Sequence, residues 1–158
     1  MRMIQRAMGA IFGVLALLVL ISSPASAQGA PKGTLVDANK ASESELAMLP
    51  HMTADIAKAV VAHRPYKTVV DLNKVLIDQK LTAAQTKDFY GKAFIPINLN
   101  TGTKDEFLLI PGVGNRMAGE FEEYRPWKTW TQFDKEIGKY VGQQKTNEFK
   151  EYFFLPTS

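Results

Sequence analysis

The sequence contains no cysteine and only two histidines. Without cysteine, no disulfide can form and no lipid can be attached through an N-terminal thiol. The histidines, His51 and His63, have no evident third ligand beside them, so they do not indicate a metal site. We therefore expect no metal and no cofactor, and a fold that is held together by its hydrophobic core alone.

Motifs that carry catalysis are also missing. The sequence has no Gly-x-Ser-x-Gly segment, no phosphate-binding loop with a lysine and no histidine-rich metal set. Paired carboxylates occur only as neighbours on predicted helix surfaces, as at Glu122 and Glu123. We predict a protein that is not an enzyme and that has no small-molecule substrate.

A long apolar run occurs only near the N-terminus. Arg2 and Arg6 precede an apolar run at residues 7–21, and Ala25-Ser26-Ala27 forms a small-residue cleavage site. Residues 1–27 are thus predicted to be a cleaved signal peptide, which places the protein in a bacterial periplasm. The alternative is an uncleaved inner-membrane anchor, but the run is shorter than the roughly 18 apolar residues that a membrane span needs.

The net charge is only +1 after cleavage. Removing the two arginines of the signal peptide from 19 basic residues leaves 17, against 16 acidic residues. Non-specific nucleic-acid binding depends on many lysine and arginine contacts to phosphate, so this balance argues against strong binding of that kind.

An internal repeat divides the rest of the chain. Residues 36–72 match residues 97–133 at an offset of 61, and an offset of 60 continues the match from Ile77 and Ile137 to the C-terminus. We predict a linker at residues 28–35, unit 1 at residues 36–96 and unit 2 at residues 97–158, each about 60 residues long. Pro96 leads into Ile97 without a flexible spacer, so we expect the units to pack together.

Local signals within each unit favour helices. Ser42 with Glu45, and Thr103 with Glu106, fit the capping box that begins a helix. Apolar residues then recur at helical spacing as far as the Arg-Pro pairs at residues 64–65 and 125–126, and threonines can cap further helices. No alternating strand pattern is evident. The predicted fold class is all-α, a tandem duplication of one helical unit.

The turn at residues 110–116 is the candidate functional site. Glycines let a backbone approach a ligand closely, and the helix that follows offers unpaired amides and a partial positive charge to an anion. The candidate contacts to a phosphate are Gly112, Val113, Gly114, Asn115, Arg116 and Lys128. The alternative is that the turn only joins two helices compactly.

These features together resemble a known family. The Asn98-Leu99-Asn100-Thr101 segment, the capped helix, the Pro-Gly-Val-Gly turn and the helix that ends at Arg125 resemble the helix-hairpin-helix (SAM-like) unit of ComEA-type competence proteins. Those proteins are exported DNA receptors in natural transformation, so the resemblance implies double-stranded DNA as the partner. The pattern is also similar to PsbU-type extrinsic subunits, where the fold serves protein contact.

Other turns depart from the family pattern. His51, Met52 and Thr53 replace the glycine-bearing turn in unit 1, and residues 76–86 and 136–146 lack a Gly-x-Gly sequence. We expect at most one of the four turns to bind phosphate, and Tyr66 and Trp127 to lie in the core. The two hypotheses are a DNA-uptake protein and a scaffold module that contacts periplasmic or membrane proteins.

Overall fold

The structure is a computed structural model that describes residues 35–156. The predicted signal peptide, residues 28–34 of the predicted linker and the last two residues lie outside the described residues. Among residues 35–156, no helix has both the length and the apolar character needed to cross a membrane.

Unit 1 is built from four helices between two short strands. Its elements are β1 (Val36–Asp37), α1 (Glu43–Ala47), α2 (Ala54–Ala62), α3 (Val69–Asp78), α4 (Ala83–Tyr90) and β2 (Ala93–Phe94). Each helix begins at a serine or threonine whose side chain accepts a hydrogen bond from the helix's third amide. The caps predicted at Ser42, Thr68 and Thr82 are therefore confirmed.

Unit 2, described as far as residue 156, has three helices between two strands. Its elements are β3 (Ile97–Asn98), α5 (Lys104–Leu108), α6 (Asn115–Glu123), α7 (Trp130–Lys150) and β4 (Phe153–Phe154). The helical path of α7 is interrupted at Gly142, where φ is 76° and ψ is 165°. The capping box predicted at Thr103 and Glu106 is present.

The four strands correct the prediction of an all-α fold, although the described residues are mostly helical. β1 pairs with β2 and β3 pairs with β4, in both cases as parallel strands, so the start of each unit lies beside its end. Each strand has only two residues, and alternation cannot be recognised over that length. The strands were therefore not visible in the pattern of apolar residues.

The two units share one core. Their buried apolar side chains form a single contiguous cluster. Across the junction, the hydroxyl of Tyr152 donates a hydrogen bond to the carbonyl of Tyr90 (3.2 Å), and the ring of Tyr152 packs edge-on against Phe94 at 4.9 Å. This confirms the expectation that the units pack together.

An aromatic residue anchors each unit at the same point, as predicted. The hydroxyl of Tyr66 donates to the carbonyl of Val60 (2.7 Å), and the indole nitrogen of Trp127 donates to the carbonyl of Phe121 (2.8 Å). Both rings are buried. Polar atoms of buried aromatic rings need such partners, and here the backbone of the preceding helix supplies them.

The pattern of buried residues shows where the alignment offset between the two units changes from 61 to 60. Leu76 and Ile137, at an offset of 61, are both fully buried, whereas Ile77 is 52% exposed. Thr86 and Thr146, at an offset of 60, are both buried. The one-residue difference therefore lies in the turn after Ile137, and not before it as the sequence alignment placed it.

Candidate nucleic-acid interface

The turn between α5 and α6 is an exposed hairpin that begins with a left-handed glycine. Gly112 has φ of +83°, a region in which side chains are strained. Gly112, Gly114, Asn115 and Arg116 are exposed, whereas Val113 is buried. The two glycines and the first turn of α6 are thus accessible to solvent. The buried side chain of Val113 attaches the hairpin to the core.

Helix α6 begins without a side-chain cap. Gly114 is its N-cap, with extended backbone and no side-chain hydrogen bond, and the first helical bond runs from the amide of Ala118 to the carbonyl of Gly114 (2.9 Å). Within residues 35–156, no acceptor takes a hydrogen bond from the amides of Asn115 or Arg116. These amides lie unpaired at the start of α6 and can donate hydrogen bonds to an anion.

The amide of Val113 does not belong to this set. It donates to the carbonyl of Ile110 at 3.1 Å, and so closes the turn internally. The corresponding amide in unit 1, that of Met52, donates to the carbonyl of Leu49 at 3.2 Å. The expectation that Val113 offers its amide to phosphate is therefore wrong, because that amide is already paired.

The corresponding turn of unit 1 has the same backbone path but is closed. His51 takes the place of Gly112 and has φ of 63°. Thr53 takes the place of Gly114, and its hydroxyl accepts a hydrogen bond from the amide of Ile56 (3.2 Å). Nε2 of His51 lies 2.9 Å from the carboxylate of Asp88 on α4. In unit 1 the side chains of the turn thus occupy the positions that are open in unit 2.

Arg116 is the nearest predicted cation, and its side chain is 82% exposed. Its Nε lies 4.0 Å from the carboxylate of Glu120, one helical turn further along α6. Its guanidinium also lies over the ring of Tyr140, 5.4 Å from the ring centroid. Arg116 is therefore oriented by α6 and α7 while it stays accessible.

Lys145 is a second cation at the hairpin, and the sequence reasoning missed it. A Cβ atom placed on Gly112 would lie 3.3 Å from both Cε and Nζ of Lys145. Nζ also lies 2.7 Å from the carboxylate of Glu148, and the hydrogen bond from Lys145 lowers the pKa of that carboxyl group. No local signal links Lys145 to a turn more than thirty residues earlier, since only the packing of α7 brings them together.

Lys128 stands apart from the hairpin. It lies in the exposed loop before α7, where its amide donates to the side chain of Gln132 at 2.9 Å. None of the contacts found among residues 35–156 joins it to residues 112–116. The structure thus brings together the predicted residues of the hairpin and leaves Lys128 outside that group.

The interruption of α7 creates a second helix start without a side-chain cap. Gly142 has a left-handed φ of 76° and no side chain, whereas its counterpart in unit 1, Thr82, accepts a hydrogen bond from the amide of Gln85 (3.3 Å). Lys145, which contacts Gly112, lies in the first turn after Gly142. The sequence held a signal for this feature, since glycine replaces threonine at an offset of 60.

Two tyrosines and two cations form a patch beside the hairpin. We call Arg116, Tyr124, Lys139 and Tyr140 the tyrosine patch. Nζ of Lys139 donates to the hydroxyl of Tyr124 (2.7 Å) and lies 5.1 Å from the ring centroid of Tyr140. The two tyrosine hydroxyls are 3.2 Å apart. The pKa of Tyr140 is raised to about 12, mainly by hydrogen bonding to Tyr124 and to a smaller extent by hydrogen bonding to Glu120, so its phenol group stays neutral at physiological pH.

Comparison with known proteins identifies a motif in the region of unit 1. Residues 31–89 match a family model described as a helix-hairpin-helix motif. This match falls on unit 1, whereas the sequence resemblance was clearest in unit 2. The chain therefore carries a helix-hairpin-helix motif.

The comparisons go no further than this motif. No curated protein and no solved structure gave a significant match to the chain. Residues 35–156 also contain no group of three or more histidine, cysteine, aspartate or glutamate side chains that is arranged to hold a metal ion.

Proposed function

We propose that this protein is an exported, non-catalytic DNA-binding protein, built as a tandem duplication of a helix-hairpin-helix unit. It would hold double-stranded DNA through the phosphate backbone without reading the base sequence, as ComEA-type receptors in DNA uptake do. The observation that carries the proposal is the helix start at Gly114, which has neither a side-chain cap nor an internal partner for its first amides. The matched helix-hairpin-helix motif supports it, because such motifs commonly bind nucleic acid.

The physical basis is the attraction between a helix start and an anion. The unpaired amides and the helix dipole place partial positive charge at the N-terminus of α6, which favours a phosphate there. Gly114 leaves open space on its side-chain face, since a Cβ atom would meet nothing within 4 Å. A phosphate oxygen can therefore approach Asn115 and Arg116 closely. Contacts of this kind position a protein on DNA but carry no sequence information.

Two further groups extend this contact surface. Lys145 lies against Gly112, and Gly142 leaves a second helix start without a side-chain cap. Both belong to unit 2, so the proposed DNA-binding face lies on that unit. Unit 1, whose helix starts are closed by serine and threonine, would then contribute stability to the fold.

The charges of this face set an upper limit on affinity. Arg116 and Lys145 each have a carboxylate partner, Glu120 and Glu148. With about two phosphates neutralised, the logarithm of the binding constant should fall with a slope of about −2 against the logarithm of salt concentration. A fourfold rise in salt would then weaken binding by about tenfold. Modest affinity per molecule is therefore part of the proposal.

A cap introduced at Gly114 tests the proposal. Gly114→Thr copies Thr53 of unit 1, whose hydroxyl accepts from the third amide of α2. The new hydroxyl should pair the amide of Met117 and stabilise α6 slightly, and the new side chain should fill the space through which a phosphate would reach Asn115 and Arg116. Binding to a labelled blunt duplex, measured by fluorescence anisotropy at low and moderate salt, should weaken by about tenfold or more. The matched control is Gly119→Ala, which adds a methyl group in open space further along α6 and should leave binding unchanged.

Either of two results would refute the proposal. If the wild-type protein shows no salt-dependent binding to duplex DNA, or if Gly114→Thr binds as well as wild type, the hairpin is not a DNA contact. The protein should be assayed from Gln28 onward, as the predicted cleavage would leave it. N-terminal sequencing of the protein from a periplasmic extract would test that cleavage and distinguish it from an uncleaved inner-membrane anchor.

A second candidate function is a scaffold that binds other proteins. Its support lies in unit 1, where the turns are capped and two large apolar side chains are exposed, Met48 at 72% and Ile77 at 52%. Exposed apolar residues on a surface without open helix starts are better suited to protein contact than to phosphate. Absence of DNA binding by the wild-type protein would favour this function.

A further inference from the structure

We propose that the tyrosine patch of unit 2 stacks an unpaired nucleobase, so that the protein prefers DNA ends with single-stranded overhangs to blunt duplex DNA. This inference rests on the proposed DNA-binding function and names the kind of DNA that the same face selects. It concerns Tyr124, Lys139 and Tyr140, which the hairpin contact does not use, together with Arg116, which both contacts share.

The exposed atoms of the patch are mainly cationic and aromatic. The side chains of Arg116 and Lys139 are 82% and 45% exposed, and Tyr140 is 37% exposed. The acidic neighbours are more covered, since Glu120 is 13% and Glu136 20% exposed. The carboxylates are thus more covered than the cations. The guanidinium of Arg116 lies over the Tyr140 ring, 5.4 Å from its centroid, so an unpaired base can stack on the exposed part of the ring or on that guanidinium.

The tyrosine ring is held in a fixed position. The hydroxyl of Tyr140 lies 3.2 Å from that of Tyr124, which also accepts a hydrogen bond from Lys139. Tyr124 in turn packs against the buried Trp127, at 5.8 Å between ring centroids. A ring that is already ordered loses little conformational entropy when a base stacks on it.

This combination is suited to unpaired nucleotides. Proteins bind single strands with aromatic rings on which bases stack and with nearby cations that contact the backbone. A paired base inside a duplex offers no free face to Tyr140, whereas a base in an overhang does. Arg116 belongs to both the hairpin and the patch, so a strand held at Gly114 would continue directly towards Tyr140.

Unit 1 has no equivalent patch. His63 stands where unit 2 has Tyr124, and residues 77–82 of unit 1 contain no aromatic residue. The patch therefore accompanies the open hairpin and is not a general feature of the fold.

The experiment compares three labelled DNAs with one duplex sequence: a blunt end, a short overhang of thymidines, and an overhang of abasic nucleotides. The abasic strand keeps the phosphates but lacks bases, so it separates stacking from additional charge contacts. The wild-type protein should bind the thymidine overhang roughly 5- to 100-fold more tightly than the blunt duplex. The abasic overhang should bind like the blunt duplex.

Variants of Tyr140 complete the test. Tyr140→Ala should remove the difference in affinity between the thymidine overhang and the blunt duplex, whereas Tyr140→Phe, which retains the ring, should keep most of that difference. Urea unfolding of both variants shows that each is folded. Equal binding of all three DNAs by wild type, or an unchanged preference in Tyr140→Ala, would overturn the inference. If the wild-type protein binds neither the blunt duplex nor the overhang DNAs, the proposed DNA-binding function itself is wrong.

Discussion

Replacing Gly102 with alanine should destabilise the protein through steric overlap. A Cβ atom at Gly102 would lie 2.3 Å from Cγ2 of Ile97, 2.8 Å from Cε1 of Phe107 and 3.0 Å from the carbonyl oxygen of Asn98. Gly102 is buried and is not among the residues with positive φ, so the expected cost comes from packing and not from backbone strain. Unit 1 has Ala41 at this position, where the smaller Val36 and Leu46 replace Ile97 and Phe107.

The magnitude follows from the crowding around this site. Overpacking in a well-packed core costs about 1–3 kcal/mol, and three simultaneous close contacts place Gly102→Ala at the upper end. The loss of backbone freedom in the unfolded chain returns about 0.4–1 kcal/mol. A net loss of about 2 kcal/mol should remain. At a denaturant slope of about 2 kcal/mol per molar, the urea midpoint should fall by about 1 M.

A double-mutant cycle tests whether the contact with Ile97 is the cause. Ile97→Ala removes Cγ2, so it should cost less in the Gly102→Ala background than in the wild type, by at least about 1 kcal/mol. Gly119→Ala is the matched control, because its methyl group meets nothing within 4 Å, and it should raise stability by up to about 1 kcal/mol. Additive effects of Gly102→Ala and Ile97→Ala would refute the packing argument, as would a stable Gly102→Ala variant.

Two further predictions concern groups in the core. Burial raises the pKa of Tyr66 and of Tyr152 to about 12, above the ordinary value of 10.0. Stability from these phenols is complete below pH 10 and should be lost as the pH rises towards 12, and Tyr66→Phe should weaken this dependence in urea titrations at alkaline pH. Asn100→Ala should cost about 1–3 kcal/mol, because Asn100 donates to the carbonyl of Trp127 (2.9 Å) and accepts from its amide (2.6 Å). Red-shifted tryptophan emission at lower urea concentration would confirm this, and an unchanged midpoint would contradict it.

The helices could be predicted because their signals are local. A capping box needs only a hydroxyl and an acid or amide three residues later, and those at Ser42, Thr68, Thr82 and Thr103 all form. The core positions of Tyr66 and Trp127 were also predicted, from the aromatic residue that recurs in the repeated Arg-Pro-aromatic-Lys-Thr segment. These features depend on neighbours in the sequence, which a single chain displays directly.

The missed features depend on contacts between distant segments. β1 pairs with β2 across the whole of unit 1, and two residues leave no periodic pattern. Lys145 reaches Gly112 only because α7 folds back onto the hairpin. The turn at Gly142 has no Gly-x-Gly sequence, but an open helix start needs only a residue without a capping side chain.

The two units differ only slightly in the stability of this helix start, but they differ in whether it can bind an anion. Replacing a capping threonine with glycine costs only a few tenths of a kcal/mol, because water can solvate the released amides. That small loss leaves an amide group free to bind phosphate, whereas the threonine hydroxyl in the same place competes with any anion. Thr53 and Gly114 occupy the same position on closely similar backbones. Thr53→Gly should therefore open α2 at little cost in stability, yet it should add little DNA binding while the side chain of His51 occupies the turn beside it.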